Sequence, residues 1–483
     1  MGCNQPHALC VPFAAQGHIT PMIHLARLLH SRGYHVTVVN TDYNHRLLAS
    51  SGAIDPSVEI EGFRLEAFST GLASMFDAGM QNILELTKAI AENRMLSPLK
   101  DVVLRLNDKG PPVSCIIFDP FMPSAQEIGK EFGIPDVAFW TMPGCSFMGF
   151  LHLDELQERG YPLFKDSSSS SANGDDIDAL IDWMPAMPSI HLKHLPTFLG
   201  TLDIPPDLMT QYFKQSIHTL PKASSIILNT LHELDHELIE AATRKFKLKE
   251  CYTVGPLFAM CDQIPSSELE SIRSNLWKEE SECMEWLEKQ GDTSVIYVNF
   301  GSLATVSAEQ LKELAWGLAN SNYPFMWVIR PDLVIGGSAA LDQEFLEETK
   351  ERAVIASWCP QKQVLGHPSV AAFLTHCGWN STVEAIHHGV PMLCWPFFAD
   401  QHTNCRFACQ VWGNGMEIGD GDDLKRDKVE GAIKELMEGE RGKEVRKSAE
   451  KWKEQARKAT DVGGSSHSNL DRLVNALRLV KSN

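Results

Sequence analysis

Short apolar runs recur along the chain, each followed by a polar or glycine-bearing break and then by apolar residues at helical spacing. Residues 7–13 form such a run, 14–20 read as a loop, and Met22, Ile23, Leu25, Ala26, Leu28 and Leu29 then fall on one face of a 3.6-residue period. Thr20 is placed to cap that helix with Pro21 at its first position, and Gly33 to close it. Residues 34–39 and 114–118 are further strand-like runs, the second ending at Asp119-Pro120. Apolar strands alternating with amphipathic helices imply a parallel sheet covered on both faces.

The pattern breaks twice. Residues 166–176 hold five serines with Ala, Asn and Gly, and read as a surface loop. Around 251–274 the periodicity weakens, with Gly255-Pro256 and Pro265-Ser266-Ser267, which predicts the interdomain linker. Beyond it the βα alternation restarts. A strand over 294–300 and a loop over 301–306 precede a helix over 307–320, opened by a Ser307/Gln310 capping box. Strands follow over 324–330, 354–358, 370–375 and 392–395. The chain therefore reads as α/β, two doubly wound halves: domains over 1–252 and 253–460, with a helical tail over 461–483 expected to pack back on the first. The basic residues of 443–458 read as a solvated helix face. Ligands of such sheets lie beyond the carboxyl ends of the strands, so the expected site is the cleft between the halves.

Composition narrows the function. The 483 residues include 43 Lys and Arg against 62 Asp and Glu, a formal net charge of −19. So acidic a chain repels phosphate backbones and anionic lipid, which argues against nucleic-acid and membrane-surface partners. An anionic ligand must then be held locally. Several of the 12 cysteines sit in apolar runs, including Cys10, Cys115 and Cys394, and none forms a C-x-x-C pair. They read as reduced, buried thiols. With no apolar stretch of membrane-spanning length and no leader-like opening, a cytoplasmic protein without membrane insertion is expected, taken by default as a monomer.

The segment 358–401 concentrates the chemistry. A strand ending at Thr375 meets His376-Cys377-Gly378-Trp379-Asn380-Ser381, and a helix over about 381–388 closes at Gly389. A helix start with added side-chain donors is an anion site. Each residue also has an ordinary role: Ser381 and Glu384 form a capping-box pattern, His376 could end a strand, and Trp358 could be core. An aromatic, several donors, an acid and the Asp400-Gln401 pair all fall at or just past successive strand ends, which favours a site.

This segment closely resembles the signature box of plant family-1 glycosyltransferases, which use uridine-diphosphate sugars on secondary metabolites. The resemblance extends from the first βα loop to the terminal helix. It implies the GT-B fold, with two Rossmann-like domains, and transfer with inversion and without a metal or other cofactor. Carried over residue by residue, it places Trp358 on the uracil and Gln361 near the base and ribose. Glu384 would accept the ribose hydroxyls. His376, Asn380, Ser381 and Ser302 would hold the diphosphate, and Trp379, Asp400 and Gln401 the sugar. Gln401 at the last box position points to UDP-glucose.

An inverting transfer needs a base for the acceptor hydroxyl, and histidine suits that near neutral pH. His18, beyond the first strand, matches the family's base. Asp119 matches the carboxylate that holds it. Thr141 matches a position that can touch the donor sugar. Phe121, Met122, Trp140, Met142, Phe147 and Met148 are candidates for an apolar acceptor pocket, with core packing an equal competitor at each. The expected product is a β-O-glucoside of a small apolar alcohol or phenol.

Three rival readings meet contrary residues. His232-Glu233-Leu234-Asp235-His236 fits the zinc-protease pattern H-E-x-x-H, but Ile239 and Ala242 occupy the metzincin glycine and third histidine. A non-catalytic sugar-nucleotide binder would be expected to lack His18 or Asp119. A dinucleotide enzyme would carry G-x-G-x-x-G where Ala14-Ala15-Gln16-Gly17-His18 stands.

Overall fold

In the computed structural model of the chain, the apolar runs become the strands of two parallel sheets. Residues 5–54, 60–72, 83–161, 177–196, 206–265, 268–335, 341–419 and 424–479 are described. The serine-rich 166–176 segment lies outside them. The strands are β1 (His7–Val11), β2 (His35–Thr41), β3 (Phe63–Phe68), β4 (Cys115–Phe118), β5 (Asp136–Trp140), β6 (Leu180–Ile181), β7 (Ile190–His191), β8 (Ser225–Leu228), β9 (Cys251–Thr253), β10 (Val295–Asn299), β11 (Phe325–Val328), β12 (Ala353–Ala356), β13 (Val370–Thr375), β14 (Met392–Cys394) and β15 (Gly415–Glu417).

The first sheet has seven strands in the order β3-β2-β1-β4-β5-β8-β9, and the second six in the order β12-β11-β10-β13-β14-β15. Both are parallel throughout, while β6 and β7 pair antiparallel apart from them. Central strands β1, β4, β5, β10 and β13 are buried along their whole length, which is why they read as unbroken apolar runs. In each sheet the strand order reverses between the first strand and its neighbour, β1 with β4 and β10 with β13. The crevice beyond that reversal is where such sheets bind ligands.

Compactness divides the chain into one unit of Met1–Lys193, Phe198–Trp277 and Lys458–Asn483 and a second of His194–Thr197 and Lys278–Arg457. The boundary therefore falls at 277/278 and 457/458, not at 252/253 and 460/461. The expected linker is part of the first core. Leu257, Met260 and Cys261, on helix Leu257–Cys261, pack with Leu25, Leu28 and Leu29, and Leu269, Ile272 and Leu276 follow them in. Its turn-rich composition concealed apolar residues at helical spacing. The tail folds as helix Ser465–Leu479, burying Leu470, Leu473, Val474 and Leu477 in that same core. Tyr34 donates to the Val474 carbonyl (3.0 Å) and Ser466 to that of Gly255 (2.6 Å).

Two helix starts differ from the sequence reading. The first helix is Gln16–Ser31, with Ala15 at its cap and Pro21 inside it. Thr20 caps nothing; it accepts from Gln16 Nε2 (2.7 Å). Gln16 also donates to the Ser274 carbonyl and accepts from the Leu276 amide, each at 2.8 Å, so tertiary bonds fix this earlier start. His18 consequently stands on the first helical turn, not in a loop. The helix after β13 is Trp379–His388, capped by Gly378 and closed by left-handed Gly389. Ser381 therefore lies inside the first turn and makes no capping box. The Ser307/Gln310 box does form, with both reciprocal bonds.

Candidate active site

The first unit brings His18 and Asp119 together through its topology. β1 and β4 are neighbours with Val11 opposite Phe118, so the residues leaving their carboxyl ends converge. His18 Nδ1 lies 2.6 Å from Asp119 Oδ2. Asp119 is 1% exposed and is itself fixed, its Oδ1 accepting from the Phe121 amide (3.0 Å). A carboxylate only accepts, so Nδ1 carries the proton and Nε2 keeps the lone pair. This is the arrangement that a general base needs.

Thr141 Oγ1 stands 3.1 Å from the same His18 Nδ1, which makes it a neighbour of the base. The rings of Phe13 and Phe121 meet the imidazole edge-on, with centroids 5.2 and 5.7 Å away. Of the acceptor candidates, Phe121 thus borders the base. Met122, Phe147 and Met148 are fully buried, Phe147 against Trp140, and Met142 is buried at 8% exposure.

In the second unit, Gln361 anchors a polar network. Its Oε1 accepts from Tyr297 Oη (3.1 Å) and Asn299 Nδ2 (2.8 Å), and its Nε2 donates to Ser381 Oγ (3.0 Å) and Glu384 Oε2 (2.8 Å). Both donors and both lone pairs of the amide are thereby used. Gln361 thereby ties Tyr297 and Asn299 to Ser381 and Glu384. Burial pushes the Glu384 carboxyl up to about 7, against the opposing pull of the Gln361 bond. Trp358 is buried two residues past the end of β12, where its carbonyl accepts from the Glu280 amide (3.0 Å).

His376 is buried, and burial together with the Arg330 charge lowers its pKa to about 3. It is a neutral imidazole, and among the described residues its Nδ1 has no hydrogen-bond partner. Gly301 and Gly378 flank it so closely that a Cβ on either would overlap Nε2. Gly301 also has φ +67°, a left-handed conformation that favours glycine. On the role that the resemblance implies for His376, Gly378→Ala is expected to displace the imidazole and weaken UDP binding about tenfold, the loss of one good hydrogen bond. Calorimetric titration with UDP checks this; unchanged affinity would separate His376 from the ligand.

Ser302 occupies the partly exposed turn after β10, and Asn380 the half-buried second position of helix Trp379–His388. The Trp379 indole is buried against Trp412, 5.9 Å between centroids. Asp400 accepts from Asn404 Nδ2 (2.8 Å), which also donates to the Cys377 carbonyl (2.9 Å). Gln401 Oε1 accepts from the Phe397 and Phe398 amides (3.0 and 3.2 Å). That oxygen shapes the loop, and the Nε2 end is the one chemically suited to a sugar hydroxyl.

Two clusters resemble metal sites. Cys377, Cys394 and Cys405 bring their sulfurs within 4.8 Å of one another. Burial raises the Cys377 thiol well above its usual range, and the Cys377 contact does the same for Cys394. His232 and His236 sit 5.2 Å apart on an exposed face. Among the described residues they join no such trio of ligand atoms. The buried member of that motif, Asp235, accepts from the Gly144 amide (2.6 Å) and Thr230 Oγ1 (2.5 Å). It ties the start of helix Gly144–Leu151 to helix His232–Phe246.

Residues 207–455 match the model of the UDP-glucoronosyl and UDP-glucosyl transferase family. A 7-deoxyloganetin glucosyltransferase of Catharanthus roseus is 46% identical over 480 residues, 98% of this chain and 97% of that one. The chain belongs to the family-1 UDP-glycosyltransferases. An (R)-mandelonitrile beta-glucosyltransferase of Prunus dulcis is 45% identical over 480 residues, 99% of this chain and 98% of its own. Among solved structures, Os79 of O. sativa in complex with UDP superposes with TM-score 0.78 at 27% identity, covering 97% of this chain and 100% of Os79. Phytolacca americana UGT2, complexed with UDP-2fluoro-glucose and pterostilbene, does so at 0.77 and 25%, covering 98% and 100%. The fold of this glycosyltransferase is thus GT-B, and the enzyme class expected from the signature box holds.

Sequence reasoning on this glycosyltransferase missed Tyr297 and Asn299, the anchors of Gln361, and the contact of Thr141 with His18. It placed Arg330 only as a strand end. A cation closing a buried apolar strand was the available signal. No helix among the described residues is long and apolar enough to cross a membrane.

Proposed function

We propose that the enzyme transfers glucose from UDP-glucose to a hydroxyl of a small apolar acceptor, with inversion and without a metal ion. The His18–Asp119 pair carries this reading. His18 Nε2 removes the acceptor proton as that oxygen attacks the anomeric carbon, and the bond to UDP breaks with its electron pair leaving on the diphosphate. Asp119 stabilises the imidazolium that forms. The first unit supplies this base and the acceptor contacts, Phe121 and Met142 among them, with Thr141 reaching the sugar. The second supplies the donor site. Trp358 stacks on uracil and Glu384 takes the ribose hydroxyls. His376, Asn380, Ser381 and Ser302 hold the diphosphate, and Trp379, Asp400 and Gln401 the sugar. The positive end of helix Trp379–His388 offsets the charge that develops on the leaving group, so the leaving step needs no cation from solution. Relatives named for 7-deoxyloganetin and (R)-mandelonitrile favour small secondary-metabolite alcohols as acceptors. A cytoplasmic monomer with no nucleic-acid partner completes the reading.

The test incubates UDP-glucose with terpenoid alcohols, phenols and cyanohydrins in EDTA and reads the anomeric configuration of the product by NMR. A β-glucoside is expected. An α-glucoside, or transfer that appears only on adding Mg²⁺, would refute the mechanism.

Glu384 gives a second prediction. A carboxyl raised to about 7 in the free enzyme is mostly protonated at pH 6 and mostly ionised at pH 8. The ionised form accepts from both ribose hydroxyls, so binding strengthens as pH rises through that window. Uridine affinity is expected to increase about tenfold from pH 6 to 8, with proton release near pH 6.5. Uridine has no phosphate to titrate, which isolates the effect. Flat affinity across this range would remove Glu384 from the ribose contact.

A further inference from the structure

Arg330 is the one charged residue among the largest fully buried side chains of the described residues, at 2% exposure. A buried guanidinium is tolerated when it is hydrogen-bonded, and here each of its three nitrogens has an acceptor. Nε donates to Asp332 Oδ1 (2.9 Å), Nη2 to the Ala304 carbonyl (2.9 Å) and Nη1 to the Gly301 carbonyl. Two of its three partners are thus backbone oxygens of the turn that holds Ser302. A peptide unit is planar and trans, so a Gly301 carbonyl turned toward Arg330 aims the Ser302 N–H the opposite way. Gly301 in turn abuts the His376 ring, where a Cβ would overlap Nε2. Arg330, the 301–304 turn and His376 form one packed series within the second unit.

We propose that Arg330 is a positioning residue of the diphosphate subsite, holding the 301–304 turn in its ligand-binding shape and supplying a fixed positive charge behind it. Its side chain reaches the ligand only through that turn. The chain carries a net charge of −19, and His376, held neutral, contributes a hydrogen bond and no charge. Arg330, partly offset by its Asp332 partner, adds positive charge there beside the helix dipole. Nothing in the composition of the signature box reveals this, because Arg330 lies outside it.

This inference rests on the UDP-sugar reading of the site, and the experiment separates the two. UDP and uridine are titrated calorimetrically into wild type, Arg330→Met and Arg330→Lys. Arg330→Met is expected to weaken UDP about tenfold or more while leaving uridine within about twofold, since only the diphosphate senses the lost charge and turn. Arg330→Lys keeps the charge but cannot fork to two carbonyls, and is expected to lose about threefold for UDP alone. Should the methionine variant fail to fold, the lysine variant still decides. A purely structural role moves both ligands together, and an unchanged UDP-to-uridine ratio overturns the proposal. A wild type that binds UDP no better than uridine would instead overturn the donor-site reading itself.

Discussion

His18→Ala is expected to lower kcat/KM by roughly 10²–10⁴, the usual contribution of a positioned general base, while UDP affinity stays within about twofold, because the donor contacts of the reading nearly all lie in the second unit. The imidazole is held at one nitrogen by Asp119 (2.6 Å) and presents the other as its basic site. Alanine leaves no group there to accept the proton, so the chemical step fails while binding survives. Single-turnover kinetics with excess enzyme isolates that step. A rate that survives the substitution would mean that another group or water takes the proton.

Asp119→Asn is expected to cost as much or more, up to about 10⁴, although the residue shape barely changes. An asparagine amide turned to donate to Nδ1 favours the tautomer protonated at Nε2, which is no base. The introduced carboxamide would retain an oxygen for the Phe121 amide, so the local turn should hold. The telling comparison is with Asp119→Ala, which removes the carboxylate without enforcing the wrong tautomer. The asparagine variant is expected to be no more active than the alanine variant. An asparagine variant near wild-type activity would show that the carboxylate has no electrostatic part in the reaction.

Much of this was legible in the sequence because parallel strands buried on both faces write themselves as apolar runs. Val370–Thr375 is read to the residue, and the runs opening at 7, 114 and 294 begin within one residue of β1, β4 and β10. The positions after those strands then fall at carboxyl ends, where His18, Asp119, Ser302 and His376 stand. Local rules failed where distant bonds decide. Thr20-Pro21 has the pattern of a helix start, yet Gln16, tied to Ser274 and Leu276, begins the helix earlier. The 251–274 segment looked like a linker because its Gly-Pro and Pro-Ser-Ser breaks interrupt the periodicity, while its apolar residues fill the first core. Gln361 and Arg330 act through partners remote in sequence, including backbone carbonyls that no side-chain pattern encodes.

The central claim is that an acidic, two-unit glycosyltransferase uses His18 as its base and needs no metal. Acceptor-dependent UDP release from UDP-glucose, measured in EDTA for wild type and His18→Ala side by side, tests it most directly. The account predicts release by wild type that depends on an alcohol or phenol acceptor, and its near-complete loss in the variant with UDP binding preserved. Equal release by both proteins, or release restored only by a divalent metal, would contradict it.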